Sequence, residues 1–502
     1  MLNVFKQYSY KTGAIISVSA TTLWKLISFI NSVLIAYLFG TTLETDIYFY
    51  LLMLAGIATN FFLNLNTSAI IPEAMHRKAE HGKENSIKFL NSFIYFYMFL
   101  GVLCTTIFCT MPNFWLSLIS RFDSGIHTGP MLLSLAIIYL STVMLTQFLI
   151  NILEMHKMFG IIWFSTFNAI VPLVLLVFFY KNLGISAMFC GYIISNVIQA
   201  LAAVFIMFFK LDWNVDCDFK IKDKRFWHNT GTLVTSEAMV IVNATLPLFL
   251  MSGFSAGIFT AFNYAKQIFD TPSEIITNRI AALSRIKFNE LNTVSDHAGI
   301  EKSFYENLTA ILILIAPIAV FTGFFANNIV SLFFERGMFG EDSTRRVALF
   351  IQLLMPNIVL AIPAYLHRNL ATSARKFKEF FVYHSVFLAV SITLIFLTMH
   401  FYGQYGYPMA MIAANIFWLM IAGMMTKKHF PYVSNTKAIG ITAGIAGMAL
   451  ACIGPSLYLA GFIESIFFKV FFCGLLYVTL FAVFLFVVYR KKLKQLITKK
   501  IL

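Results

Sequence analysis

Apolar runs of twenty residues or more follow one another along the whole chain, and that succession limits its fold more than any single motif does. In hydrocarbon a backbone N–H or C=O cannot turn to water, so runs of this length read as helices that cross a bilayer. About fourteen are expected: near 13–38, 46–71, 89–111, 130–153, 158–180, 184–208, 230–251, 258–283, 303–325, 343–367, 379–400, 405–426, 437–460 and 464–489. Only 12% of the residues are charged, against about 25% in soluble domains, so an all-α polytopic membrane protein is the expected fold class. The net charge of +14 would suit a nucleic-acid partner if it were spread over a soluble surface. It is instead gathered in loops, which is the pattern of the positive-inside rule, and no nucleic-acid partner is expected.

An even number of spans puts both termini on one side. Loops on that side hold roughly 28 Lys and Arg and the opposite loops about 5, so both termini are expected to be cytoplasmic. The heaviest are HRKAEHGKENSIK (76–88), KLDWNVDCDFKIKDKR (210–225), RIKFNE (285–290), ARKFK (374–378) and the tail RKKLKQLITKK (490–500). The longest of them, 210–225, marks a seam. A faint repeat supports it: WLSLI (115–119) and IVSLF (329–333) each follow an apolar run and precede a charged turn. Gly40 and Gly253 likewise each close a span ahead of a polar or charged helix. The expected organisation is a first lobe at 1–209, a cytoplasmic linker at 210–229, a second lobe at 230–429, and a final helix pair with its basic tail at 430–502.

No Gly-rich phosphate loop, HExxH pair, GxSxG elbow or paired catalytic carboxylates occur in the chain, and the cysteine spacing resembles no metal site. A transporter rather than an enzyme is expected, with no cofactor and no metal. The candidate chemistry lies in charges placed inside spans, where each costs roughly 2.5–3.5 kcal/mol unless it faces protein or water. The stretch from Gly257 to Lys287 holds most of them: Lys266, Asp270, Glu274 and Arg279. At about 100° per residue the first three share a sector roughly 80° wide, and Pro272 points away from it and should kink the helix. Elsewhere Lys25 sits in mid-span with Asn31 further along, Asp46 stands at the mouth of the second span, and Glu237 is the seventh span's carboxylate. Cations facing a chamber favour an anionic head group such as a pyrophosphate, whereas a chamber for organic cations would be lined with carboxylates.

Three stretches resemble the lipid II flippase family (MurJ/MviN). NYAKQIFDTPSEIITNRIAALSRI (263–286) is similar to its eighth-span N-Y-A signature, IVSLFFERGMFGEDS (329–343) to its apolar run ending in G-x-F, and FGTTLETDIYFY (39–50) to its F-G…T-D stretch, with Asp46 at the acid. The resemblance covers about residues 15–380. It implies the wider multidrug/oligosaccharidyl-lipid/polysaccharide exporter fold: two six-helix lobes in a V, plus two C-terminal helices forming a groove for a lipid tail. It also implies alternating-access movement of an undecaprenyl-pyrophosphate-linked saccharide across the bacterial cytoplasmic membrane. Lys25, Asn31, Lys266 and Arg279 would then be substrate-binding residues. Asp46, Asp270 and Glu274 would serve gating or charge balance, and Glu237 coupling to Na+ or H+, with the membrane potential as the other candidate drive. Partners would be the lipid-linked substrate, membrane lipids and the machinery of cell-envelope glycan synthesis.

The chain departs from the family pattern in its cations. One basic residue, Lys25, stands where the family's first span usually has two, and Lys266–Gln267 replaces an acid–arginine pair. A capsular or exopolysaccharide repeat-unit flippase is therefore a second expectation. A multidrug exporter of the same superfamily and a membrane-embedded glycosyltransferase or polymerase rank below it.

Overall fold

A computed structural model describes residues 6–8, 10–122, 128–217, 224–374 and 376–501. Every regular element among them is helical, and the chain divides into two compact units, Met1–Thr260 and Ala261–Leu502.

Unit 1 begins with α1 (Tyr10–Phe39) and α2 (Leu43–Leu65). A π-helical turn, Asn66–Ile70, leads into α3 (Ile71–Thr110), which breaks at Gly82 (φ 87°). The short α4 (Pro112–Ile119) precedes α5 (Gly129–Met155). A 3₁₀ segment (Phe159–Thr166) precedes α6 (Phe167–Leu183), and α7 (Ser186–Leu211) and α8 (Lys224–Met251) follow. The main packing is of α5 against α3 and α7, and of α6 against α7. The last contact is close because Gly191 has no side chain: a Cβ there would stand 2.4 Å from the Cα of Pro172. Small residues let membrane helices approach in this way, since lipid supplies no hydrophobic drive to press them together.

Unit 2 takes most of α9 (Ile258–Pro272), whose first turn belongs to unit 1. A second π-helical turn, Ser273–Thr277, connects it to α10 (Asn278–Thr293). The distortion follows Pro272, where a kink is expected, because proline leaves a carbonyl one turn back without its donor. Then come α11 (His297–Phe324), α12 (Ala326–Phe334), α13 (Glu341–Ser373), α14 (Phe377–Tyr402), α15 (Gly406–His429), α16 (Asn435–Ala451), α17 (Ile453–Ala460) and α18 (Ile466–Ile501). The repeated WLSLI and IVSLF segments each fall on a short helix, α4 and α12.

Eleven runs among the described residues are long and apolar enough to cross a membrane. They differ from the expected fourteen at three places. Leu43–Thr110 and Glu379–His429 each merge two expected spans, and 258–283 is not among the eleven. That last stretch is helical but carries four charges, which lowers its hydropathy.

The connection after α7 is strapped to α3. Asn91 Nδ2 donates to the carbonyls of Asn214 (2.8 Å) and Asp216 (2.6 Å), Trp213 Nε1 donates to Asn91 Oδ1 (2.7 Å), and Tyr95 Oη donates to the Val215 carbonyl (3.1 Å). His156, just past α5, packs edge-on against Trp213. Burial lowers the pKa of His156, opposed by its bond to the Ile152 carbonyl and assisted by Lys78 and Lys83.

Two outcomes follow from this packing. Gly191→Ala should destabilise unit 1 by about 1–3 kcal/mol through overpacking on Pro172, read as a lower melting temperature in detergent; an unchanged value would mean the two helices can part freely. Because His156 binds its proton less readily folded than unfolded, its contribution is full above the usual value of 6.5 and is lost as pH falls below it. The melting temperature should drop with acid more steeply in wild type than in His156→Gln.

Candidate functional site

The first turn of α2 gathers three kinds of cap. Gly40 (φ 62°) turns the chain out of α1, and Thr42 and Thr45 then form a capping box that closes α2 itself. This geometry leaves the acids of the turn to reach other helices. Glu44 accepts a hydrogen bond from the backbone of Ile185, the residue that caps α7. Asp46 is 2% exposed and accepts from the backbone N–H of Gly257 (2.6 Å), the N–H of Thr260 (2.7 Å) and the hydroxyl of Thr260 (2.6 Å). A carboxylate out of water is costly, but three donors and the positive end of a helix supply what water would. Gly257 makes the approach possible. Its φ is 86°, and a Cβ would lie 2.6 Å from the Thr41 carbonyl oxygen.

In unit 2, Lys266 and Asp270 of α9 form an ion pair across one turn, with side chains 38% and 31% exposed. Asp270 interacts electrostatically with Tyr365 of α13 and Tyr407 of α15, and Arg368 also acts on Tyr365. Lys266, paired to Asp270, and Tyr365, Arg368 and Tyr407 thus form a chain of electrostatic neighbours within unit 2. Glu274 lies in the π-helical turn after Pro272 and is half-buried. Arg279 falls in α10, and its side chain lies outside the described residues. The expected tenth span stops at residue 367, which leaves Arg368 out of the candidate site. The helix instead runs on to Ser373.

In unit 1, Lys25 is half-buried on α1 with its ammonium 5.5 Å from the centre of the Trp24 ring. Asn31 is buried and donates through Nδ2 to the Ala169 carbonyl of α6 at 2.9 Å. Glu237 is half-buried in α8. Among the described residues no group of three His, Cys, Asp or Glu could hold a metal ion.

Unit 2 also contains an apolar recess of about 570 Å³, lined by Phe324 of α11, Met355 and Val359 of α13, Leu419 of α15, and Ala443 and Leu450 of α16. Its walls suit a hydrocarbon chain.

The family described as lipid II flippase MurJ matches residues 35–482. The chain belongs to that family. A probable lipid II flippase MurJ of Borreliella burgdorferi is 21% identical over 428 residues, covering 82% of this chain and 83% of the relative. One of Buchnera aphidicola is 24% identical over 369 residues, covering 68% of each. Among solved structures, a lipid II flippase MurJ in an inward closed conformation aligns with a TM-score of 0.81 at 18% identity, covering 95% of this chain and all of that one. An inward-facing multidrug resistance MATE transporter aligns with a TM-score of 0.61 at 13% identity, covering 83% of this chain and 99% of the other. The fold is thus the MurJ fold, with MATE transporters as more distant neighbours.

Asp46→Ala would leave two buried backbone donors without their acceptor, a loss of about 1–3 kcal/mol. Asp46→Asn keeps one acceptor oxygen and should lose less. Thermal unfolding of the purified protein in detergent gives the comparison, and equal melting of Asp46→Ala and wild type would remove Asp46 from its anchoring role.

Proposed function

We propose that this chain is a flippase for an undecaprenyl-pyrophosphate-linked saccharide, moving it from the inner to the outer leaflet of the bacterial cytoplasmic membrane by alternating access. The membership of residues 35–482 in the MurJ family carries this reading. Lys266 and Arg368 in unit 2 are the cations that would meet the pyrophosphate, and Lys25 in unit 1 is a further candidate contact. Ion pairs as exposed as Lys266–Asp270 contribute only about 0–1 kcal/mol, so a doubly charged phosphate group competes readily for the ammonium. Asp270 would then hold Lys266 in place between substrates, and Glu274 would balance the charge. The recess beside α16 would take part of the polyprenyl tail. Both termini would be cytoplasmic, as the distribution of Lys and Arg favours. Glu237 is the candidate for coupling to Na+ or H+.

A related capsular or exopolysaccharide precursor is the second reading. It is favoured by Asn31, which stands at a family basic position and spends its amide on the Ala169 carbonyl.

Complementation of a bacterium depleted of its own lipid II flippase separates the two. Rescue by the wild-type chain is the expected result, with Lys25→Ala, Lys266→Ala and Arg368→Ala each reducing it at equal expression. A well-expressed chain that fails to rescue would point to the other glycan. Full rescue by all three alanine variants would sink the pyrophosphate contacts.

A further inference from the structure

Unit 1 holds a second recess, away from the charged residues above. A crevice of about 390 Å³ lies between α3, α5 and α7. Ile94, Leu145, Ala200, Val204 and Met207 give it apolar walls, and its lip includes the exposed Leu201. One end is closed by the strap after α7, through Trp213 and Val215. There the Lys83 ammonium lies 2.6 Å from the Leu211 carbonyl, and the exposed Lys210 stands in the last turn of α7. At the other end stands Asn196, which is fully buried and whose two amide atoms have no hydrogen-bond partner.

The two ends set a length. From Asn196 to Phe208 helix α7 rises about 18 Å at 1.5 Å per residue, near half of the ~30 Å hydrocarbon core. The crevice is therefore about one leaflet deep, with a tryptophan, a tyrosine and lysines where head groups lie and an amide where the chain should stop. We propose that it binds one acyl chain of a glycerophospholipid, with the lipid phosphate held at the strap beside Lys83 and Lys210. The phosphate meets the ammonium groups by charge-assisted hydrogen bonds, and the chain covers apolar walls that would otherwise pack poorly against moving lipid. The same strap carries the exposed Asp212 and Asp216. The site therefore recognises the phosphate common to acidic and zwitterionic lipids rather than a net negative head group. This lipid would be a resident of the fold, distinct from the cargo.

Native mass spectrometry of the purified full chain tests it, with dioleoylphosphatidylglycerol, dioleoylphosphatidylethanolamine and dioleoylglycerol as separate probes. One copy of either phospholipid should survive detergent washing, and dioleoylglycerol should not. Ala200→Trp fills the crevice and should cut retention at least about tenfold, the equivalent of two buried methylenes. Val487→Trp, on the exposed face of α18, should change nothing. Lys210→Glu leaves the walls intact and should lower phospholipid retention, which keeps the test open if Ala200→Trp fails to fold. Melting curves identify variants that are folded. Equal retention by folded Ala200→Trp and wild type would overturn the site. Equal retention of dioleoylglycerol, or no effect of Lys210→Glu, would overturn its phosphate end. None of these readouts depends on which glycan is flipped or on whether the chain rescues a host.

Discussion

A single buried carboxylate carries an unusual share of the order in unit 1. Asp46 sits on the first turn of α2 and binds the backbone at the start of α9, 211 and 214 residues further along the chain. Its neighbour Glu44 does the same for α7 through Ile185. One helix end thus fixes the ends of two others, and it does so with hydrogen bonds to backbone donors that would otherwise be orphaned. The geometry depends on Thr42 and Thr45, which satisfy α2 internally and leave the acids free to reach outward.

The intramembrane cations are organised by the opposite principle. Asp46 is shut in and saturated with donors, whereas Lys266 and its partner Asp270 keep about a third of their surface open. A shielded carboxylate suits a permanent joint, and an open ion pair suits a ligand that must come and go. The charge of Asp270 also reaches Tyr365 of α13 and Tyr407 of α15, and that of Arg368 reaches Tyr365. A lipid-linked pyrophosphate asks for this combination: cations that can exchange partners, next to apolar surface for the tail.

Much of this was legible in the sequence, because lipid leaves a chain few options. Long apolar runs had to be helices, basic loops had to cluster, and Pro272 had to disturb its helix. The charged residues stood out by their cost alone, Lys266 and Asp46 among them. What could not be read was partnership across distance. Nothing near Asp46 names Gly257, and nothing near Asn91 announces that it will tie down the strap at 213–216. Arg368 was lost for another reason. Polar residues inside a protein can continue a helix that hydropathy would end, and α13 passes through His367, Arg368 and Asn369 without a break. The π-helical turn at Asn66–Ile70 leaves no such mark in the sequence, whereas the one at Ser273–Thr277 follows the proline that announces it.

The break at Gly82 bears on how such a chain enters a membrane. The basic stretch around it was expected to be a loop, yet helix runs up to the glycine and resumes directly after it. Its charges are tied into helical turns, with Arg77 paired to Glu73 and Lys88 to Glu84. Two spans joined so tightly cannot be threaded one at a time with slack between them. They form one hairpin whose elbow carries its charges on helical turns rather than on a slack loop. Under the positive-inside rule, a charge cluster held in this way bears on the orientation of both spans together rather than on each separately.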